Sequence, residues 1–157
     1  MKTLTRLAIA CAASIVFFAP LARVADAQGR HPRYLKSRSD LRAAQSLLRV
    51  QEEPNVTRNL KLAGQEAEFA IHEIDKAAVL DGKDLNDHPP VDVRIPRVDR
   101  FRKIAELLRA ARAGIDKEED NPSARGWRDV AFRHIDAALD FLHRAAVDAH
   151  IDHELGY

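Results

Sequence analysis

Between Trp127 and Ala149 the apolar residues Trp127, Ala131, Ile135, Ala138, Leu142, Ala145 and Ala149 return every three or four positions. An α-helix, with about 3.6 residues per turn, gathers that spacing onto one face. Asn121 and Pro122 open the run as an N-cap and a first helical residue. A helix with such a stripe must bury it, so the rest of the chain has to supply partners.

Three further stripes do so. Phe101, Ile104, Leu108, Ala111 and Ile115 share one face of a helix that starts around Pro96. Ala63, Ala67, Ala70, Ile74 and Ala77 share a face of a helix running from about Thr57 to Leu80, which Asp81-Gly82 stops. Leu41, Ala44 and Leu48 define a shorter helix ending near Glu53-Pro54; the spacing from Ser37 to Asp40 resembles a capping box and places its start at Ser37. Pro89-Pro90 forbids helix in the Asp-rich stretch between the second and third of these segments, which is expected to cross in extended form. Few aromatics and much alanine suit closely packed helices better than sheets.

Two segments repeat. Leu41-Arg42-Ala43-Ala44 matches Leu108-Arg109-Ala110-Ala111, each followed by an acidic stretch with a Pro/Asn pair, and Ala70-Ile71-His72-Glu73-Ile74-Asp75 matches Ala131-Phe132-Arg133-His134-Ile135-Asp136. The expected fold is therefore all-α: an antiparallel four-helix bundle built from two repeated helical hairpins, about 37–82 and 96–155, with linker 83–95. The second and fourth helices are expected to be longer than the first and third.

The bundle is preceded by a different kind of segment. Lys2 and Arg6 lead an apolar run from Leu7 to Leu21, followed by Ala25-Asp26-Ala27. That is the pattern of a signal peptide, 1–27, with a flexible lead-in at 28–36 before the 37–157 bundle. The run is shorter than a membrane span and contains Pro20, so the mature chain is expected not to cross a membrane. The expected compartment is the periplasm of a Gram-negative bacterium. The one cysteine, Cys11, falls in this segment, which leaves the mature chain without thiol, disulfide or thiolate metal ligand. The whole chain carries 25 Lys and Arg against 24 Asp and Glu. Loss of the first 27 residues turns this balance slightly negative, which argues against a nucleic-acid binder.

The stretch from Asp81 to Asp92, together with Glu118-Glu119-Asp120-Asn121-Pro122 and Ala124-Arg125-Gly126, resembles small exported bacterial helical-hairpin-repeat proteins of unknown function. The resemblance implies export and a helical fold and carries no activity.

Histidine is the residue most open to a functional role. His143, His150 and His153 fall near one edge of the last helix, with Glu154 four residues after His150. On one continuous helix such a group could chelate zinc, copper or nickel; boundary histidines on an exposed helix end are the plainer reading. His72 and His134 sit near matching points of the repeat and could approach each other. Asp140 and His143 are spaced for an acid–base pair or an ordinary surface hydrogen bond. The acids of the 81–92 loop could take calcium or magnesium, but their spacing is not that of an EF-hand. Haem attachment and nucleophilic catalysis lack their motifs. Arg97, Arg100, Arg102, Lys103, Arg109 and Arg112 line a basic face with Asp99 and Glu106 interspersed, the composition of a salt-bridged surface. The sequence thus points to a non-enzymatic exported bundle that acts by binding or protein interaction in the cell envelope. The alternative is transition-metal binding or buffering through His143, His150, His153 and Glu154. Ligand identity and oligomeric state are not encoded in any of these patterns.

Overall fold

A computed structural model describes residues 33–80, 90–116 and 122–157. The signal-peptide segment, the Asp81-Gly82 stop, His31, His88 and most of the acidic loop lie outside the described residues. Within them the chain is all-helical, with five helices packed against one another: α1 (Arg33–Leu48), α2 (Pro54–Leu80), α3 (Arg97–Asp116), α4 (Pro122–Asp148) and a short α5 (Asp152–Leu155). No helix among the described residues is long and apolar enough to cross a membrane.

The stripes read from the sequence form the core. Leu41, Ala44, Leu48, Ala63, Ala67, Ala70, Ile74, Phe101, Ile104, Leu108, Ile115, Ile135 and Leu142 are all buried, and each fully buried Leu or Ile contributes about 1.5–3 kcal/mol. The most extensive contact is α2 against α4, where both stripes are rich in alanine. Small side chains let helix axes approach closely, which is why these two helices meet along so much of their length. Next comes α1 against α3. Asn59, early in α2, donates to Asp148 at the end of α4 at 2.8 Å, so the start of one helix meets the end of the other. Ser37, early in α1, likewise lies against Gly114, late in α3.

Four boundaries differ from expectation. Helix α1 begins at Arg33, so Arg33–Lys36 belong to it and not to a flexible lead-in. The reason is Tyr34, which packs into the core one turn ahead of the predicted start. Ser37 is therefore inside the helix and is no N-cap; its hydroxyl is buried without a hydrogen-bond partner and faces Gly114, where a Cβ would come within 2.3 Å of it. At the other end α1 stops at Leu48, and α2 starts at Pro54. Thr57 holds the turn between them: its hydroxyl accepts from the Glu52 amide at 2.8 Å and donates to the Glu52 carbonyl at 2.9 Å.

The last difference matters most for function. The final helix does not run to Gly156. It stops at Asp148, and His150 takes a left-handed conformation with φ of 56°. The His150 amide donates to Val147 O and the Ile151 amide to Ala146 O, both at 3.0 Å, while Ile151 is buried. That pairing is a Schellman stop with its usual hydrophobic residue. The chain then turns into α5, which packs on α3 and α4.

The register of the repeat also differs. Helices α2 and α4 are both 27 residues long, so Pro54 corresponds to Pro122 and Lys76-Ala77-Ala78-Val79 to Arg144-Ala145-Ala146-Val147. In this register the buried residues coincide: Ala63 with Ala131, Ala67 with Ile135, Ala70 with Ala138, Ile74 with Leu142. The segment match Ala70–Asp75 to Ala131–Asp136 is about two helical turns out of this register. In α1 and α3 the matched residues are alike in burial: Leu41 and Leu108, Ala44 and Ala111, and Leu48 and Ile115 are all buried, as are Tyr34 and Phe101.

Candidate functional site

The four residues read as a metal set are separated by the helix break. His143, in α4, stacks on Tyr157 with ring centroids 4.4 Å apart and planes 25° from parallel, rather than pairing with Asp140. His150 serves as the left-handed residue of the helix stop. His153 and Glu154 are exposed in α5, and the Glu154 carbonyl accepts from Arg102 at 3.4 Å. The single-helix chelate needs one continuous helix from His143 to Glu154, and the turn at Ala149–His150 breaks that continuity. Among the described residues no three His, Cys, Asp or Glu side chains stand together where they could hold one metal ion.

The basic face of α3 is mostly spent on carboxylates. Arg100 is buried and pairs with Glu52, while Arg97 reaches Glu52 and Glu53. Arg102 pairs with Asp99, Lys103 with Glu106, and Arg112 with Asp136. Burial lowers the Arg100 pKa from its ordinary value. Hydrogen bonds from the backbone and from Arg97 hold the Glu53 carboxyl below its own ordinary value. This cluster ties the α1–α2 turn to the start of α3.

The histidines that do come together with other chemistry are His72 and His134. Both line an open groove of about 450 Å³ on α2 and α4, with Phe69, Glu73 and Lys76. His134 Nδ1 lies 2.7 Å from Glu66 Oε2. A carboxylate in that position favours the tautomer with the proton on Nδ1, which leaves Nε2 as an acceptor. The Phe69 ring lies 5.3 Å from the His134 ring, tilted by 45°, and Phe69 remains 53% exposed. Lys76 closes onto Glu73 at 2.6 Å. None of the described lining residues is a Ser, Thr or Cys. The groove therefore offers an aromatic face, an oriented imidazole and a paired charge, a set suited to recognition.

Trp127, Phe132 and Phe141 are partly buried against the core. Arg112 and Arg128 cover the Phe132 ring at 4.5 and 5.7 Å, and Arg144 lies 5.3 Å from that of Phe141. Tyr157 is 40% exposed, and the more exposed aromatic among the described residues is Phe69, at 53%. Its signal was present: a large apolar residue off the alanine stripe of α2, on the side that should have been polar. Set against protein-family models, curated proteins and solved structures, the chain matches none.

Proposed function

We propose that this is an exported, non-enzymatic helical-bundle protein that acts by binding a protein partner in the cell envelope, through the α2/α4 face around Phe69. The observation that carries the reading is Phe69 itself: more than half exposed beside an oriented His134, on the helix pair that otherwise packs most completely. Large apolar side chains left in water next to polar rims mark interaction sites. Val79 and Val147, at matching places in α2 and α4, are also exposed. Export rests on Lys2, Arg6, the apolar run and Ala25-Asp26-Ala27.

In the same reading the fold is an antiparallel four-helix bundle made by duplication of a helical hairpin. Support comes from the equal lengths of α2 and α4, their shared Pro opening and Ala-Ala-Val ending, and the coincident burial in both helix pairs. A Phe69→Ser variant tests the function. It should keep the melting temperature and helical circular dichroism of the parent while losing a partner recovered from the envelope fraction by the tagged parent protein. A variant that recovers the same partner in equal amount contradicts the assignment of this face.

A further inference from the structure

A second groove lies between the end of α1 and the first half of α2, about 340 Å³ in volume, and shares no lining residue with the α2/α4 face. Its floor is Leu48, Leu60 and Gly64. Gly64 is in the interior of α2, where glycine is less favourable than alanine. Neither backbone nor packing requires it. Its φ is not positive, and the nearest atom a Cβ would meet is Leu48 Cβ at 3.9 Å, an ordinary contact. What the missing methyl leaves is space in the floor of this groove.

The walls are polar and unevenly charged. Arg49 and Lys61 line it, and neither makes an ion pair among the described residues, whereas Arg38 and Arg112 each meet an aspartate across a helix pair. Glu68 is the one carboxylate of the lining, and it is already reached by Gln45 Nε2 at 3.4 Å. Gln51 Nε2 makes only a long bond to Arg49 O, at 3.3 Å, and Gln65 is exposed. Two unpaired cations ask for an anion. Three carboxamides ask for a ligand with both donors and acceptors, and Glu68 accepts from an N–H.

We propose that this groove binds a small carboxylate bearing hydrogen-bonding nitrogen, the chemistry shared by a free amino acid and a peptide C-terminus. The carboxylate lies between Arg49 and Lys61, the amides take the neighbouring polar atoms, and a small side chain rests on Leu48, Leu60 and Gly64. This site stands or falls separately from the α2/α4 face, since Phe69→Ser leaves every residue of it in place.

The test is titration of the mature protein with free L-alanine, with the dipeptide glycyl-L-alanine, and with the C-terminal amide of that dipeptide, followed by calorimetry. Binding of either acid, with the amide about tenfold or more weaker, supports the proposal; alanine binding as well as the dipeptide assigns the free amino acid, and the dipeptide alone assigns the peptide end. Arg49→Gln and Lys61→Gln should each weaken the acid by about tenfold with circular dichroism unchanged. Gly64→Ala separates a binding role from a structural one: it should raise the melting temperature and weaken binding together. Equal affinity for acid and amide, unchanged affinity in Gly64→Ala, or no heat from any of the three ligands at about 10 mM overturns it.

Discussion

Glu66 and His134 occupy the same place in α2 and α4, counted from Pro54 and Pro122, and they meet each other, Oε2 to Nδ1, at 2.7 Å. The contact joins a carboxylate on one helix to an imidazole on the other. Both side chains are partly exposed, at 24% and 30%, and solvent screens their interaction. A double-mutant cycle with Glu66→Gln and His134→Gln in urea should give a coupling of about 0.5–1 kcal/mol at neutral pH. A coupling indistinguishable from zero would mean that the contact does not hold the helices in register.

Helices α1 and α3 lie close together where Ser37 faces Gly114. Gly114→Ala would place a methyl 2.3 Å from the Ser37 hydroxyl oxygen, so it should cost about 1–3 kcal/mol. Adding Ser37→Ala removes that oxygen and leaves a Cβ–Cβ distance of 3.7 Å, which is ordinary contact. The double variant should regain most of the loss. Ser37→Ala alone should be neutral or stabilising, because the hydroxyl is buried with no partner. Chemical denaturation of the four proteins checks all of this.

Arg100 is buried against Glu52, whose side chain is itself only 12% exposed. Replacing Arg100 with Leu strands that carboxylate, although Arg97 still reaches it. The expected loss is about 2–4 kcal/mol, at or below the range for an opened buried pair. Glu52→Gln in the same background should recover part of it.

Glu53 gives the pH dependence. Its carboxyl is held below its ordinary value by hydrogen bonds to the backbone and to Arg97. A carboxyl whose pKa is depressed on folding adds stability that is present above the unfolded pKa, about 4.3, and fades as pH falls through the folded one. The group is fully exposed, so the effect is best read at the residue itself. Carbon-detected NMR titration should place the Glu53 carboxyl below its ordinary value, and Arg97→Gln should move it up.

Much of the helical core was legible because a 3.6-residue period fixes which side chains share a face. Leu41, Ala44 and Leu48, and Phe101 through Ile115, needed no tertiary knowledge. Register was harder. Alanine-rich stripes look alike when shifted by two turns, so Ala70–Asp75 paired convincingly with Ala131–Asp136 although Ala70 corresponds to Ala138 when the helices are counted from Pro54 and Pro122. The helix stop was hidden because the left-handed position is held by His150, not by glycine, and the metal reading of the C-terminal histidines depended on that helix continuing. Ser37 misled because Ser-x-x-Asp occurs inside helices as well as at their starts. Of the α2/α4 site, His72 and His134 were named as residues that could approach, since the repeat suggested it. Glu66 and Phe69 were not, because nothing in one helix states which face its neighbour will leave uncovered.

His150 offers its own check. A histidine in the left-handed region costs conformational energy that glycine does not pay, so His150→Gly should raise stability by about 0.5–1 kcal/mol. The gain should appear in thermal melts without any added metal. A loss instead would mean that the imidazole itself is needed where it stands.

The central claim is that this protein acts through the α2/α4 face, and its most direct measurement is photo-crosslinking in cells that produce it. A photoreactive residue at position 69 should give a discrete adduct of defined mass, while the same residue at position 109, on the exposed side of α3, gives none. Equal adducts from both positions, or an adduct from 109 alone, would contradict the account.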